Sequence, residues 1–304
     1  MSVLDYRGLA ALDAVVEQGS FERAAVALSI TQSAVSHRLR ALEEATGELL
    51  VIRSQPPQAT ARGHRLIAHY RQVLLLEAGL STEAPEPAAL PQLAIASNAD
   101  SAATWLLEAL ASVLTEPACR VDVLLDDQDQ TLRQLREGRV VGCITSSSDA
   151  VAGTSVVALG IMSYRCVATP AFARRWFADG LNPQSVAVAP AVIYNRSDTL
   201  HARYLAQMGL SENVPHSYFP SAEGFVAFVQ AGFGYGMAPL IQVREELADG
   251  RLIDLAPGTQ VDVALYWHRW NIQTPLTRTL NDAIVATAAR WLEQRQEQDQ
   301  AGIV

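Results

Sequence analysis

Apolar positions three and four residues apart open the chain. Leu9, Leu12, Val15 and Val16 recur at helical spacing between Leu4 and Val16, which predicts an amphipathic helix ended by Gly19. A second helix reads through Phe21, Ala24, Ala25 and Leu28, with Ser20 as its cap and Arg23 on the outer face. Ser29 and Ile30 make a turn, and Thr31 is placed to cap a third helix whose buried side is Ala34, Val35, Leu39 and Leu42. Gln32, Ser33, Ser36, His37, Arg38 and Arg40 fall mostly on the other side. The small alanine pair suits two helices that cross closely. A helix whose first exposed turn carries Gln and Ser, flanked by Arg, can meet base edges while the arginines hold phosphates. An ordinary helical hairpin with a polar face is the alternative, but it leaves turn, cap, alanine pair and arginines unrelated.

Gly47 breaks this pattern. Leu49 to Arg53 and Gln58-Ala59 then read as two short strands around Pro56-Pro57, a wing that places Arg53 and Arg62 for backbone phosphates. Thr60 starts a long helix to about Leu80, with Leu66, Ile67, Tyr70, Val73 and Leu74 in an apolar stripe. Such a stripe calls for a partner helix; packing on its own small domain is the competing reading. Ser81 to Pro91 is proline-rich and reads as a hinge.

From Gln92 onward strands and helices alternate, the grammar of an open α/β sheet. The first block has strands over 93–96, 119–125 and 141–145 and helices over 101–114 and 129–137. The second has strands over 164–169, 191–194 and 217–219 with helices over 170–178, 199–208 and 221–231. Short strands at 236–238 and 253–254 flank a helix over 241–247. A strand over 261–267 leads back to a closing helix over 274–294. The expected domains are a winged helix-turn-helix (1–59), a linker helix (60–84), a hinge (85–91), effector lobe I (92–163 and 268–297), effector lobe II (164–267) and a tail (298–304).

The net charge of −9 becomes compatible with DNA binding once it is divided. Residues 31–71 hold six Arg and three His against three Glu, so the locally basic part is the part that carries the third helix. No apolar run has membrane-spanning length and no basic-then-apolar leader opens the chain, so the expectation is a cytoplasmic protein without a membrane partner. Cys119, Cys143 and Cys166 are scattered in apolar runs and read as reduced core residues, with Cys166 beside Arg165 as the one candidate redox thiol. No metal cluster, nucleophile elbow or Ser-His-Asp set is evident. Neither a catalytic residue nor a metal or other cofactor is therefore expected. Tyr266 to Trp270 reads as packing at a strand end, and Gly232 to Gly236 as a turn, because it follows a helix where a nucleotide loop would open one.

Ligands of open α/β sheets lie beyond strand carboxyl ends, facing helix N-termini. Three corners qualify: Ser97, Asn98, Asp100 and Ser101 with Thr104 one turn on; Asn195, Arg196 and Asp198; and Ser221 with Glu223. The acidic loop with Asp127 is a fourth. Each residue is also an ordinary cap or first-turn choice. Together their acids favour a cationic or zwitterionic effector, while Arg196 keeps an anion open.

The run FERAAVAL…TQSAVSHRLRALE, the Gly47 to Leu50 exit, Arg53 and the Thr60-Ala61-Arg62-Gly63 helix start resemble the LysR-type transcriptional regulators, and nearly the whole chain fits that plan. The resemblance implies antiparallel pairing of linker helices, a homodimer or homotetramer, and a two-lobed effector domain like a periplasmic binding protein with two crossing segments. LAIASNADSAATWLLEAL, DDQDQTLRQLREGRVVGC and LYWHRW are similar to the branch of that family that responds to arginine and lysine, ArgP and LysG. That similarity implies L-lysine or L-arginine as effector, an amino-acid export or metabolism gene as target, a double-stranded operator, and a response read through DNA bending or contact with RNA polymerase. A ligand-independent architectural or replication-control DNA-binding protein, a regulator with another effector and an enzyme on the two-lobed fold are the competing readings.

Overall fold

The computed structural model describes residues 4–80, 92–115, 119–126 and 128–294. The expected hinge, the tail and Asp127 lie outside the described residues.

The N-terminal domain is built from local caps. The Asp5 carboxylate accepts the Arg7 and Gly8 amides, so α1 (Tyr6–Gln18) begins later than Leu4 and ends where Gly19 turns left-handed. Ser20 caps α2 (Phe21–Ala27), and Thr31 caps α3 (Gln32–Thr46) by accepting the Ala34 amide at 3.2 Å. Between α2 and α3, Ser29 sits at φ 53°, which turns the chain within a few residues. The wing is shorter than expected: β1 (Val51–Ile52) pairs antiparallel with β2 (Gln58–Ala59), while the Leu50 amide donates to the Glu43 carboxylate at 2.9 Å. Leu9, Leu12, Val15, Ala24, Val35, Leu39 and Leu50 form the core of this domain.

Thr60 caps α4 (Ala61–Ala78), which starts against the wing so closely that a Cβ on Gly63 would lie 2.2 Å from the Leu50 carbonyl oxygen. The expected dimer stripe needs correction here. Leu66 and Ile67 are buried in the winged-helix core, and Tyr70 packs on the same core with its ring near Tyr6, so these three are spent within the chain. Val73 is half-buried, and Leu74 is exposed together with Leu76 and Leu80.

The effector domain is a mixed sheet that continues through both lobes. In lobe I, β3 (Gln92–Ser97) lies between β4 (Arg120–Leu125) and β5 (Gly142–Thr145), parallel to both. The helix expected over 101–114 is two, α5 (Ala99–Thr104) and α6 (Leu106–Leu114), broken at Trp105. Thr104 donates its hydroxyl to the Asp100 carbonyl at 2.6 Å, a side-chain bond that competes with the helix ladder at the break. α7 (Gln128–Arg136) precedes β5.

The largest miss is β6 (Thr154–Ala168), a 15-residue strand of which only the last third was expected. It pairs antiparallel with β11 (Val261–Trp270), and these two strands carry the chain between the lobes. The expected lobe limits at 163/164 and 267/268 fall inside them. The missed part, 154–163, is mostly half-buried with Ala158 exposed, and a register irregularity opposite Leu265/Tyr266 interrupts it, so no regular period-two alternation marks it. Lobe II adds α8 (Pro170–Trp176), a short α9 (Pro183–Val186), β7 (Ala191–Ile193), α10 (Leu200–Gln207), β8 (His216–Tyr218), α11 (Ala222–Gln230), β9 (Gly236–Pro239), α12 (Leu240–Ala248) and β10 (Ile253–Asp254). There β7 pairs with β8, Val192 donates its amide to the Tyr235 carbonyl beside β9, and β9 and β10 pair with the far end of β6. The closing helix α13 (Pro275–Trp291) returns to pack on lobe I, with Arg290 and Trp291 both bonded to Glu108 of α6.

Candidate functional site

The structure presents two candidate sites, a reading helix and an inter-lobe cleft. On α3, Val35, Leu39 and Leu42 are buried, which leaves Gln32, Ser33, His37 and Arg40 exposed and Ser36 and Arg38 half-buried. Thr31 is exposed at the N-terminus of α3 and Arg53 on the wing. Two arginines are more committed than the sequence showed. Arg23 donates its Nε–H to the Gln18 carbonyl at 2.8 Å, closing the C-terminus of α1. Arg62 stands 3.8 Å from Glu48, with its Nε shut away from solvent.

Between the lobes lies a cleft of about 780 Å³, within the range that holds small metabolites. Lobe I contributes Asn98, Asp100 and Asp126; lobe II contributes Asn195, Asp198, Arg203 and Gln242; the crossing strands contribute Tyr164 and Asp262. Asn98 caps α5 by accepting the Ser101 amide at 3.1 Å, which aims the next residue but one, Asp100, into the cleft. Tyr164 donates its hydroxyl to the Asp100 carboxylate at 2.5 Å. Burial pushes the Asp100 carboxyl up to about 6; the Tyr164 bond opposes this and the Asp198 charge adds to it. Asp198 is oriented by the Tyr194 and Leu200 amides at 3.2 and 2.8 Å. Asp126 accepts from Gln134, and Asp262 accepts from Ser163 and Gln260. Gln242 spends an amide N–H on the Ala222 carbonyl, and its Oε1, buried on the cleft wall, has no hydrogen-bond partner among the described residues.

Asn98, Asp100, Asn195 and Asp198 are therefore brought together, while several expected contacts are not. Ser97 and Ser101 are fully buried behind the wall, and the Thr104 hydroxyl is used by its own helix. Ser221 does cap α11, but it and the exposed Glu223 stay outside the cleft lining, as does Arg196, which lies over the Tyr218 ring. Asp127 falls outside the described residues; its neighbour Asp126 lines the cleft. Sequence reasoning missed Tyr164, Arg203, Gln242 and Asp262. Asp262 carried a signal, a charge between buried Val261 and Val263 on a strand. Gln242 carried none.

The remaining motifs are structural. Trp267 is buried and donates to Asn281 at 2.9 Å, and His268 is buried against the Ser147 carbonyl. Burial pushes the Cys143 thiol up to about 12 and raises those of Cys119 and Cys166 as well, which makes all three poor nucleophiles; Arg165 instead faces Asp254 at 3.7 Å. No helix among the described residues is long and apolar enough to cross a membrane.

Comparison with known proteins joins the two sites. Residues 6–64 match the family described as bacterial regulatory helix-turn-helix protein, lysR family, and residues 88–289 match the LysR substrate binding domain. The HTH-type transcriptional regulator ArgP of Pseudomonas fluorescens is 42% identical over 293 residues, covering 95% of this chain and 99% of that protein. The crystal structure of ArgP from Mycobacterium tuberculosis superimposes with a TM-score of 0.85 at 35% identity, over 96% of this chain and 100% of that one. Full-length LysG from Corynebacterium glutamicum, solved with its effector Arg bound, gives a TM-score of 0.77 at 34% identity, over 95% of this chain and 99% of that one. A DNA-reading winged helix on a linker helix, followed by a two-lobed domain with a small-molecule cleft, is the family's plan, and this chain belongs to the LysR-type transcriptional regulators.

Proposed function

We propose that the protein senses a basic amino acid, L-arginine or L-lysine, in the inter-lobe cleft and adjusts transcription of genes for export or metabolism of basic amino acids. The charge inventory of the cleft carries this reading. Asp100, Asp126, Asp198 and Asp262 stand against Arg203 as the one cationic side chain among its described lining residues. Arginine and lysine carry two cationic groups and one carboxylate, which is the complementary pattern. Asp100 and Asp198 suit the ligand cations, the Gln242 Oε1 can accept from a ligand N–H, and Arg203 suits the ligand carboxylate. The bound arginine of the LysG relative supports the same ligand class.

Because the lining residues come from both lobes, a bound ligand bridges them and favours the closed arrangement. It can shift the regulator only through unequal affinity for its two states. LysR-type regulators work as oligomers, and Leu74 and Leu76 on α4 with Leu80 just beyond its end supply exposed apolar surface for a partner helix. The readout on DNA is a changed operator bend or a changed contact with RNA polymerase. The test is thermal unfolding of the purified chain with L-arginine, L-lysine, L-histidine, L-glutamate and aromatic amino acids. Native-state binding stabilises by about 2.7 kcal/mol at a hundredfold excess over Kd. A shift confined to arginine or lysine supports the reading. A shift with another compound reassigns the effector, and no shift with any of them points to ligand-independent DNA binding.

A further inference from the structure

The second face of α4 is occupied by lobe I. His64, Ala68, Arg71, Leu75 and Gly79 are spaced by four, three, four and four residues, so they form a single stripe along the helix. Every member meets lobe I or its closing segment. His64 Nε2 lies 3.9 Å from Glu137, which Arg133 and Arg139 also hold. Ala68 lies under Gly138, where an added Cβ would stand 2.5 Å from the Ala68 Cα. Leu75 is buried in the effector core, and with Trp270, Ile272, Thr277 and Leu280 it walls a small cavity. Gly79 abuts the side chain of Thr274, the cap of α13.

Arg71 is the polar centre of this stripe and reaches three acceptors on two elements. Its Nε donates to Asp13 at 2.8 Å and its Nη2 to Glu17 at 2.6 Å, both on α1 of the winged helix. Its Nη1 donates to the Gly138 carbonyl at 3.3 Å, at the end of α7. That carbonyl belongs to the negative end of a helix, a favourable place for a guanidinium. Gly138 itself sits at φ +75°, so the chain can turn there with no side chain between it and α4. Lysine has the charge but one nitrogen, and it cannot span the three acceptors.

We propose that this stripe is a transmission seam, with Arg71 as its positioning residue, that docks lobe I on the winged helix so that effector-driven closure of the cleft reaches the reading helix through α4. The proposal rests on the effector reading above for its signal, though not for its mechanical part. The seam places the coupling in packed side chains and one guanidinium. A lobe I held this way carries its half of the cleft, Asp100 included, in fixed relation to α3.

The experiment uses the full-length protein and a duplex that it selects from a random pool. Operator affinity is measured with and without L-arginine or L-lysine, beside amino-acid affinity and melting temperature. Arg71→Ala, Arg71→Lys, Ala68→Leu and Gly138→Ala attack the seam from both sides. Wild-type protein is expected to change operator affinity by about 5- to 150-fold on effector addition. The variants are expected to bind the amino acid as tightly as wild type, while that change falls below about twofold. Full coupling in all four variants overturns the seam. A readout without ligand separates this from a wrong effector: in calorimetry the wild-type winged helix and effector domain unfold together, and Gly138→Ala splits them into two transitions. A wild-type protein that unfolds in two independent steps also overturns the seam, whereas failure of both amino acids to bind overturns only the effector reading.

Discussion

The reading helix and the effector cleft are made in opposite ways. α3 is one continuous run, started by Thr31 and ended by Gly47, and its exposed face follows from which of its own residues are apolar. The cleft draws Asp100, Tyr164, Asp198, Arg203, Gln242 and Asp262 from distant segments, and none of these faces the others until the two crossing strands pair. The difference teaches where change is tolerated. A surface carried by one helix loses affinity contact by contact, whereas a cleft between lobes depends on each carboxylate having its partner and its orientation.

The largest expected effect tests the packing beneath the helix. Gly63→Val drives a side chain into the Leu50 carbonyl and should destabilise the winged helix by about 3 kcal/mol, lowering its unfolding temperature and operator binding together. Retention of wild-type stability would mean that the wing yields, and that α3 is less fixed than its contacts suggest. In the cleft, Asp100→Asn should weaken arginine or lysine binding by about 10- to 100-fold, the cost of one charge-assisted hydrogen bond, with operator affinity intact. Calorimetric binding of the variant at the wild-type affinity would reduce Asp100 to a residue of the α5 turn.

The pH dependence follows in size. The Asp100 carboxyl is raised to about 6 from an ordinary 3.8, so the folded chain without ligand holds a proton there over that interval. Folding therefore takes up a proton, and this group favours the folded state more as pH falls from about 6 to 3.8. A cationic effector favours the ionised form and must expel the proton, so its affinity should fall by up to about tenfold per pH unit below about 6. Titration at pH 7.5 and 5.0 in buffers of different ionisation enthalpy measures the released proton, and a flat profile would sink the assignment.

On the DNA side the effects are smaller. Thr31→Ala removes the cap of α3 and should cost about 1 kcal/mol of stability, read from the denaturation midpoint. Arg38→Ala should weaken binding nearly uniformly across sequences and reduce the salt slope by about one; an unchanged slope would show that Arg38 does not hold a phosphate.

How much was legible divides along the same line. Ser20, Thr31 and Thr60 were placed correctly because a cap acts on amides two or three residues away, whereas the helix capped by Asn98 was expected to begin two residues later than it does. The division of charge singled out residues 31–71, and the alternation of strands and helices indicated two α/β blocks. Leu66 and Ile67 were assigned to a partner helix because periodicity reports that a face is apolar and says nothing about what covers it. Ser97, Ser101 and Asp100 lie within one turn, yet two are sealed in the wall and one faces the cleft. Most of β6 was missed because 154–163 is mostly half-buried and its register is interrupted opposite Leu265/Tyr266, which leaves no period-two alternation to read.

The sequence alone determined the helices of the N-terminal domain with their caps, the exposed face of α3, most of the α/β alternation and the acidic character of the effector domain, since each depends on neighbours along the chain. Only the tertiary structure decided which carboxylates share a cleft, which face of α4 meets the winged helix and which meets lobe I. Those choices are made by the antiparallel pairing of β6 with β11 and by close approaches at Gly63 and Gly138, contacts between residues far apart in sequence that no local pattern encodes.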